Sequence, residues 1–338
     1  MALDHYYRQM HSAIDQEMQK VVDLPLVKAY PGLGQMLRYH LGWESQGISA
    51  VDAQGKRIRP ILVLLSASAA GGIWEDALPA AASVEILHNF SLIHDDIEDN
   101  SPMRRGRETV WKKWGQALAI NAGDALFTLA YEALTELSVT TSPEVVNQAF
   151  KILNETCIRL TGGQHLDISY EQERSIPLEW YWLMIGGKTA ALLSGCTRLG
   201  GLVGGANQDQ IQALGDFGLN LGLSFQVQDD WLGLWGDAQE TGKSTHSDLV
   251  SGKKTLPVVY ALHKGGLFAE RWHQGRIQPD EVPGLSQQLI SEGAQEYTQQ
   301  QADTLTKAAL EALERTGFAN DASLALRDLA QALLNRRQ

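Results

Sequence analysis

Apolar residues return at three- and four-residue steps along almost the whole chain, and that period leaves helix as the dominant element. The pattern is strongest across 81–97, 117–137, 145–160, 178–199 and 210–234, and it resumes across 309–334. Period-two alternation with β-branched residues is nearly absent, so a sheet-based architecture is excluded. Gly71-Gly72, Ser142-Pro143 and Gly204-Gly205 stand where turns are needed. The polar stretch 236–252 reads as a functional loop, and 264–283 as an irregular connection between helices. With no low-complexity linker and no fixed-period repeat, the economical reading is one all-α domain over 1–338.

Composition narrows the partners. The formal net charge is −12, against the basic excess that a nucleic-acid surface needs. The first twenty residues carry acids and aromatics where a secretory signal would be apolar. The longest apolar run, 61–70, is about half a membrane span and contains two serines, so no stable membrane insertion is expected. Cys157 and Cys196 are the only cysteines and form no CxxC pair. That argues against a disulfide framework or zinc site and fits a reduced cytoplasmic setting.

Two acidic segments interrupt these apolar helices. In the first, Asp95 and Asp99 are four residues apart and share one helical face, with Asp96 about 100° round. In the second, Gln226, Asp229 and Asp230 share a face in the same way. Crowded carboxylates repel one another unless a cation intervenes, and oxygen-only ligation of this kind suits magnesium. Two such clusters facing one another would hold magnesium around one diphosphate and make it a good leaving group. A single DDxxD motif would equally suit a solvated helix end; two, both inside apolar helices, favour metal.

An acidic protein that takes diphosphates must concentrate cations locally. Lys56-Arg57-Ile58-Arg59, Arg104-Arg105-Gly106-Arg107, Lys188, Lys243 and Lys253-Lys254 are such spots. Arg107, Lys112, Lys113 and Lys254 read as ordinary surface cations. His88 lies two turns before Asp95, where a histidine is more often part of the core.

These segments together resemble the trans-isoprenyl diphosphate synthases, of the farnesyl and geranylgeranyl diphosphate synthase type. The resemblance runs from about 55 to 262 and keeps the family's order: GKRIRP at 55–60, EILHNFSLIHDDIED at 85–99, MRRG at 103–106 and GGQHLD at 162–167. GKTA at 187–190, FQVQDD at 225–230, TGK at 241–243 and SDLVSGKKTLP at 247–257 complete it. It implies a bundle of mostly antiparallel helices around a deep central cavity, usually a homodimer.

The resemblance also implies roles. Lys56, Arg59, His88 and Arg105 would hold isopentenyl diphosphate. Arg104, Lys188, Thr189, Gln226, Lys243 and Lys253 would serve the allylic diphosphate (dimethylallyl, geranyl or farnesyl). Asp95, Asp99 and Asp229, assisted by Asp96 and Asp230, would bind Mg2+, three ions per active site with substrate bound. Lys188, Thr189 and Gln226 would also take part in the chemistry. Gly233 departs from the pattern, since the second motif usually ends there in a third aspartate. Phe90 and Ser91, five and four residues before Asp95, resemble the pair in synthases that stop at geranylgeranyl diphosphate, and Phe90 would be the cavity floor. Farnesyl diphosphate as product, or a catalytically silent partner subunit, are the alternatives.

Overall fold

The computed structural model describes residues 2–44, 55–236 and 247–334. The fold is all-α: the only strands among the described residues are Met103–Arg104 and Arg107–Glu108, an antiparallel pair. No helix among the described residues is long and apolar enough to cross a membrane. The chain forms two compact units. The first comprises Met1–Ile152, Cys196–Gln208 and Phe318–Leu326; the second comprises Leu153–Gly195, Asp209–Gly317 and Arg327–Gln338.

The first unit is organised on the helix Leu78–Glu98, which starts on Pro79 and is buried continuously from Pro79 to Leu87. A helix apolar on all sides belongs inside, and its alanines let neighbouring helices approach closely. The helix Ile58–Ala69 is likewise buried through most of its length. One acid sits inside this core. Glu85 accepts from the Arg57 guanidinium at 2.8 Å, and Arg57 also reaches Asp15 at 3.1 Å. Arg57 precedes the helix Ile58–Ala69 with φ of 47°, a left-handed conformation that costs about 1–2 kcal/mol in a residue other than glycine. Its buried ion pairs hold it there.

Two apolar clusters fill the second unit. One gathers Tyr170, Tyr181, Met184, Val227, Leu256 and Val259; the other gathers Leu234, Leu249, Val258, Phe268, Val282 and Leu289. The helical period over 178–199 is not realised as one α-helix. Leu178–Ile185 passes through a π-helical turn, Gly186–Ala190, before Ala191–Val203. The cause is close packing against the helix Pro143–Glu171. A Cβ on Gly163 would lie 2.0 Å from the backbone nitrogen of Lys188, and one on Gly187 would lie 2.6 Å from the Arg159 carbonyl oxygen. Only glycines allow that contact, and the wide turn re-aims Lys188 and Thr189.

Candidate active site

In the first unit, Asp95 and Asp96 sit in the last turn of Leu78–Glu98, and Asp99 is its C-cap, donating its backbone N–H to the Asp95 carbonyl at 2.8 Å. Carboxylates are disfavoured there twice over, by mutual repulsion and by the negative end of the helix dipole. Asp95 is half-buried and Asp99 exposed, whereas Asp96 is only 2% exposed. Oδ1 of Asp96 accepts from Arg104 Nε at 2.8 Å, and its buried Oδ2 has no protein partner. Burial pushes the Asp96 carboxyl up to about 6, against the downward pull of Arg104.

Arg104 belongs to a hairpin whose central residues, Arg105 and Gly106, both have positive φ, 50° and 74°. That is the geometry of a tight hairpin with primed turn twist, and it turns two consecutive arginines in different directions. Arg104 goes to Asp96. Arg105 goes the other way, its guanidinium so close to Gly55 that a Cβ there would meet Nη2 at 2.7 Å. The GKRIRP and MRRG segments thus meet in space. His88 lies within their field: burial, then the charges of Arg59 and Arg105, hold its imidazole well below the usual range. Arg59 is half-buried, and its Nε is buried without a partner. Arg59, His88 and Arg105 therefore lie near one another. Lys56 is exposed beside them, its carbonyl accepting from the Tyr7 hydroxyl at 3.0 Å. Sequence reasoning missed His40, which lines a small pocket under the hairpin with Asp96, Arg104, Arg105 and Arg107. Burial and the surrounding arginines push His40 down to about 3, so it is neutral.

In the second unit, the π-turn sets Lys188 against Asp167 as an ion pair and lets the Thr189 hydroxyl donate to Gln226 Oε1 at 2.8 Å. Gln226 Nε2 then donates to Asp230 Oδ1 at 3.0 Å. Asp230 Oδ2 accepts from the Tyr181 hydroxyl and from the backbone N–H of Leu256, each at 2.8 Å. Asp230 is thus a buried hub with both oxygens engaged, while Asp229 is half-buried on the adjoining face. Burial pushes the Asp230 carboxyl up to about 7 even though three hydrogen bonds favour its charge. Lys253 is half-buried, and Lys243 lies outside the described residues. Lys254 is not the surface cation that the sequence suggested. It is 6% exposed, donates to the Gly252 carbonyl at 2.9 Å and sits 5.4 Å from the Trp272 ring centre. Asp167 closes the GGQHLD segment but was given no role there, and Tyr181 carried no signal beyond lying in a helical segment.

Phe90 and Ser91 are half-buried one turn below Asp95. The Phe90 ring packs edgewise on Phe127 at 5.0 Å, and Phe127 continues to Tyr131 at 5.3 Å. The aromatic row crosses from Leu78–Glu98 to the helix Gln116–Thr135.

The polyprenyl synthetase family profile matches residues 45–275. The chain belongs to that family. It is 34% identical over 336 residues to the (2E,6E)-farnesyl diphosphate synthase of Mycobacterium tuberculosis (strain H37Rv), which covers 97% of this chain and 91% of that one. It is 40% identical over 300 residues to the geranylgeranyl diphosphate synthase of Saccharolobus solfataricus, covering 87% and 90%. The solved structure of geranylgeranyl pyrophosphate synthase from Corynebacterium glutamicum, complexed with isoprenyl diphosphate and magnesium, superimposes with a TM-score of 0.83 at 26% identity and 99% coverage of both chains. This chain is accordingly a trans-prenyltransferase of the prenyl diphosphate synthase family, whose substrates are isopentenyl and allylic diphosphates.

No three His, Cys, Asp or Glu side chains among the described residues converge to enclose a cation by themselves. Magnesium takes one or two carboxylates and completes its shell with phosphate oxygens and water. The unpartnered Oδ2 of Asp96, beside Asp95 and Asp99, is a donor set of the right kind.

Proposed function

We propose that this protein is a magnesium-dependent geranylgeranyl diphosphate synthase, acting as a cytoplasmic homodimer. The observation that carries the product length is Phe90. It stands five residues before Asp95, is braced by Phe127, and has the small Ser91 beside it. The second reading, farnesyl diphosphate, is favoured by the similarity to the mycobacterial farnesyl diphosphate synthase.

Asp95, Asp99 and Asp229 would hold the magnesium ions, three with substrate bound. Bound magnesium would offset the charge of the allylic diphosphate and make it a better leaving group. Arg104 would offer the allylic diphosphate its guanidinium fork and Lys188 its ammonium point charge, and Lys253 and Lys243 would serve the same diphosphate. Arg59, Arg105, Lys56 and the neutral His88 hold isopentenyl diphosphate. When the allylic C–O bond breaks, its electron pair leaves with the diphosphate. The double bond of isopentenyl diphosphate then forms the new C–C bond, and the proton that restores the alkene passes to a diphosphate oxygen. The Thr189 oxygen, whose proton is turned toward Gln226, offers its lone pairs to the developing cation.

The test supplies radiolabelled isopentenyl diphosphate, magnesium and each of dimethylallyl, geranyl and farnesyl diphosphate to the purified chain. Geranylgeranyl diphosphate as the end product from all three primers supports the proposal. Termination at farnesyl diphosphate selects the second reading, and absence of turnover with every primer refutes both.

A further inference from the structure

The helix Ala2–Val22 carries Tyr7, His11 and Asp15 at four-residue steps, so the three side chains form one row along it. The row is continuous: the Tyr7 and His11 rings stand 5.6 Å apart, and His11 Nδ1 lies 3.7 Å from Asp15. Both ends of the row reach the GKRIRP segment. The Tyr7 hydroxyl donates to the Lys56 carbonyl at 3.0 Å, and Asp15 accepts from Arg57 at 3.1 Å. Lys56 belongs to no helix or strand, and its neighbours Gly55 and Arg57 both have positive φ, 79° and 47°. A helical donor to the Lys56 carbonyl would be the N–H of residue 60, and Pro60 has none. Arg57, one residue on, does take its helical bond, from the Ile61 N–H at 3.3 Å. The Tyr7 hydroxyl thus supplies what Pro60 withholds. Burial holds that hydroxyl above its usual range, against the opposing charge of Arg57, so it stays protonated and remains a donor.

The Lys56 carbonyl lies in one rigid plane with the Lys56 Cα and the Arg57 N–H. Tyr7 fixes one edge of that plane, and the ion pairs of Arg57 with Glu85 and Asp15 fix the residue that follows. Holding the plane holds the Lys56 Cα, the root of its side chain. A lysine ammonium rides on a flexible four-carbon stem, so the fold can aim an exposed one only from that root. Side-chain freedom that must be lost on binding weakens a ligand's hold. We propose that Tyr7 is a positioning residue for isopentenyl diphosphate: it holds the root of Lys56 and so brings the N-terminal helix into the support of that site. The inference rests on the reading of Lys56 as a ligand of that diphosphate.

Calorimetric titration of the full-length chain with isopentenyl diphosphate alone, and separately with geranyl diphosphate and magnesium, tests this without turnover. Tyr7→Phe keeps the ring and its contact with His11 and removes only the hydroxyl. It is expected to weaken isopentenyl diphosphate binding about two- to fivefold and to leave geranyl diphosphate binding unchanged. In a Lys56→Ala background the same change is expected to have no further effect, because the side chain it aims is gone. Unchanged isopentenyl diphosphate affinity in Tyr7→Phe, beside a loss in Lys56→Ala, overturns the inference and leaves the site reading in place. Equal losses for the two ligands, or losses that multiply in the double variant, overturn it too, because the effect is then not passed through Lys56. If Lys56→Ala binds isopentenyl diphosphate as tightly as the parent chain does, the reading of Lys56 falls, and the inference falls with it.

Discussion

Replacing Asp230 by asparagine changes one atom's chemistry and should reverse a whole hydrogen-bond chain. In the parent protein the hydrogens run from Thr189 to Gln226 to Asp230, and Tyr181 and the Leu256 N–H close on the second carboxylate oxygen. In Asp230→Asn the amide oxygen can keep both Tyr181 and Leu256, so Nδ2 faces Gln226. Two facing NH2 groups cannot bond, so the Gln226 amide must flip and then donate to the Thr189 oxygen. Every buried donor is still satisfied. The Thr189 proton, displaced from Gln226, now points toward the substrate.

Stability and catalysis should therefore separate. Asp230→Ala strands the Tyr181 hydroxyl (0% exposed), the Leu256 N–H and the Gln226 amide. At about 1–3 kcal/mol for each of the two buried donors, with the partly exposed amide left out, the loss is about 2–6 kcal/mol. Asp230→Asn should cost little near pH 6. The sign of its pH dependence follows from a folded-state value of about 7 against an ordinary 3.8. Between those values the folded chain holds a proton that the unfolded chain has released, so this carboxyl makes the parent less stable as pH rises through the window. The asparagine variant lacks that loss and should be the more stable protein at pH 8 in urea unfolding of the metal-free chain. Its kcat should nevertheless fall about 10- to 100-fold, or roughly 1.4–2.7 kcal/mol, because a hydroxyl dipole near the developing cation has been reversed. If instead kcat survives at saturating magnesium and the magnesium requirement rises tenfold, Asp230 is a metal ligand and the reasoning is wrong.

Phe90→Ala should lengthen the product by at least one five-carbon unit; an unchanged product distribution on radiochromatography removes Phe90 as the floor. Asp95→Ala should lower turnover by at least about a hundredfold, and near-normal rates at high magnesium would contradict its assignment. Arg57→Met strands Glu85, 4% exposed, with Asn89 as its remaining side-chain partner at 3.2 Å. Loss of one partner of a buried pair costs about 3–5 kcal/mol, so a change below about 1 kcal/mol in urea unfolding would show that Arg57 does not hold the core.

The helical class and the identity of the site residues were legible because they depend on local spacing. A period of three and four residues needs no knowledge of neighbours, and Asp95 with Asp99 share a face wherever their helix is placed. What escaped was whatever depends on who approaches from elsewhere. Two consecutive glycines, Gly186-Gly187, weaken a helix wherever they stand. That it becomes a π-turn follows only from the helix carrying Gly163, which packs against it too closely for any Cβ. The Met103–Glu108 hairpin escaped for a different reason. Its strands are two residues long, too short for an alternation to show, and an arginine occupies a left-handed position where asparagine or glycine would have signalled a turn.

Charges show the same divide. Asp229 and Asp230 are neighbours in the sequence and were read as a pair, yet in a helix they are 100° apart, and that angle sends one into a hydrogen-bonded core and leaves the other half-exposed. Lys253 and Lys254 separate likewise: the first stays half-exposed, and the second is buried against Trp272 near Glu171 and Glu173. In each doublet one member serves the architecture that aims the other. A motif of paired charges therefore records two tasks, and only burial tells which residue performs which. Because the inward member has no slack, its replacement should damage folding or orientation, whereas replacement of the outward member should damage ligand affinity alone.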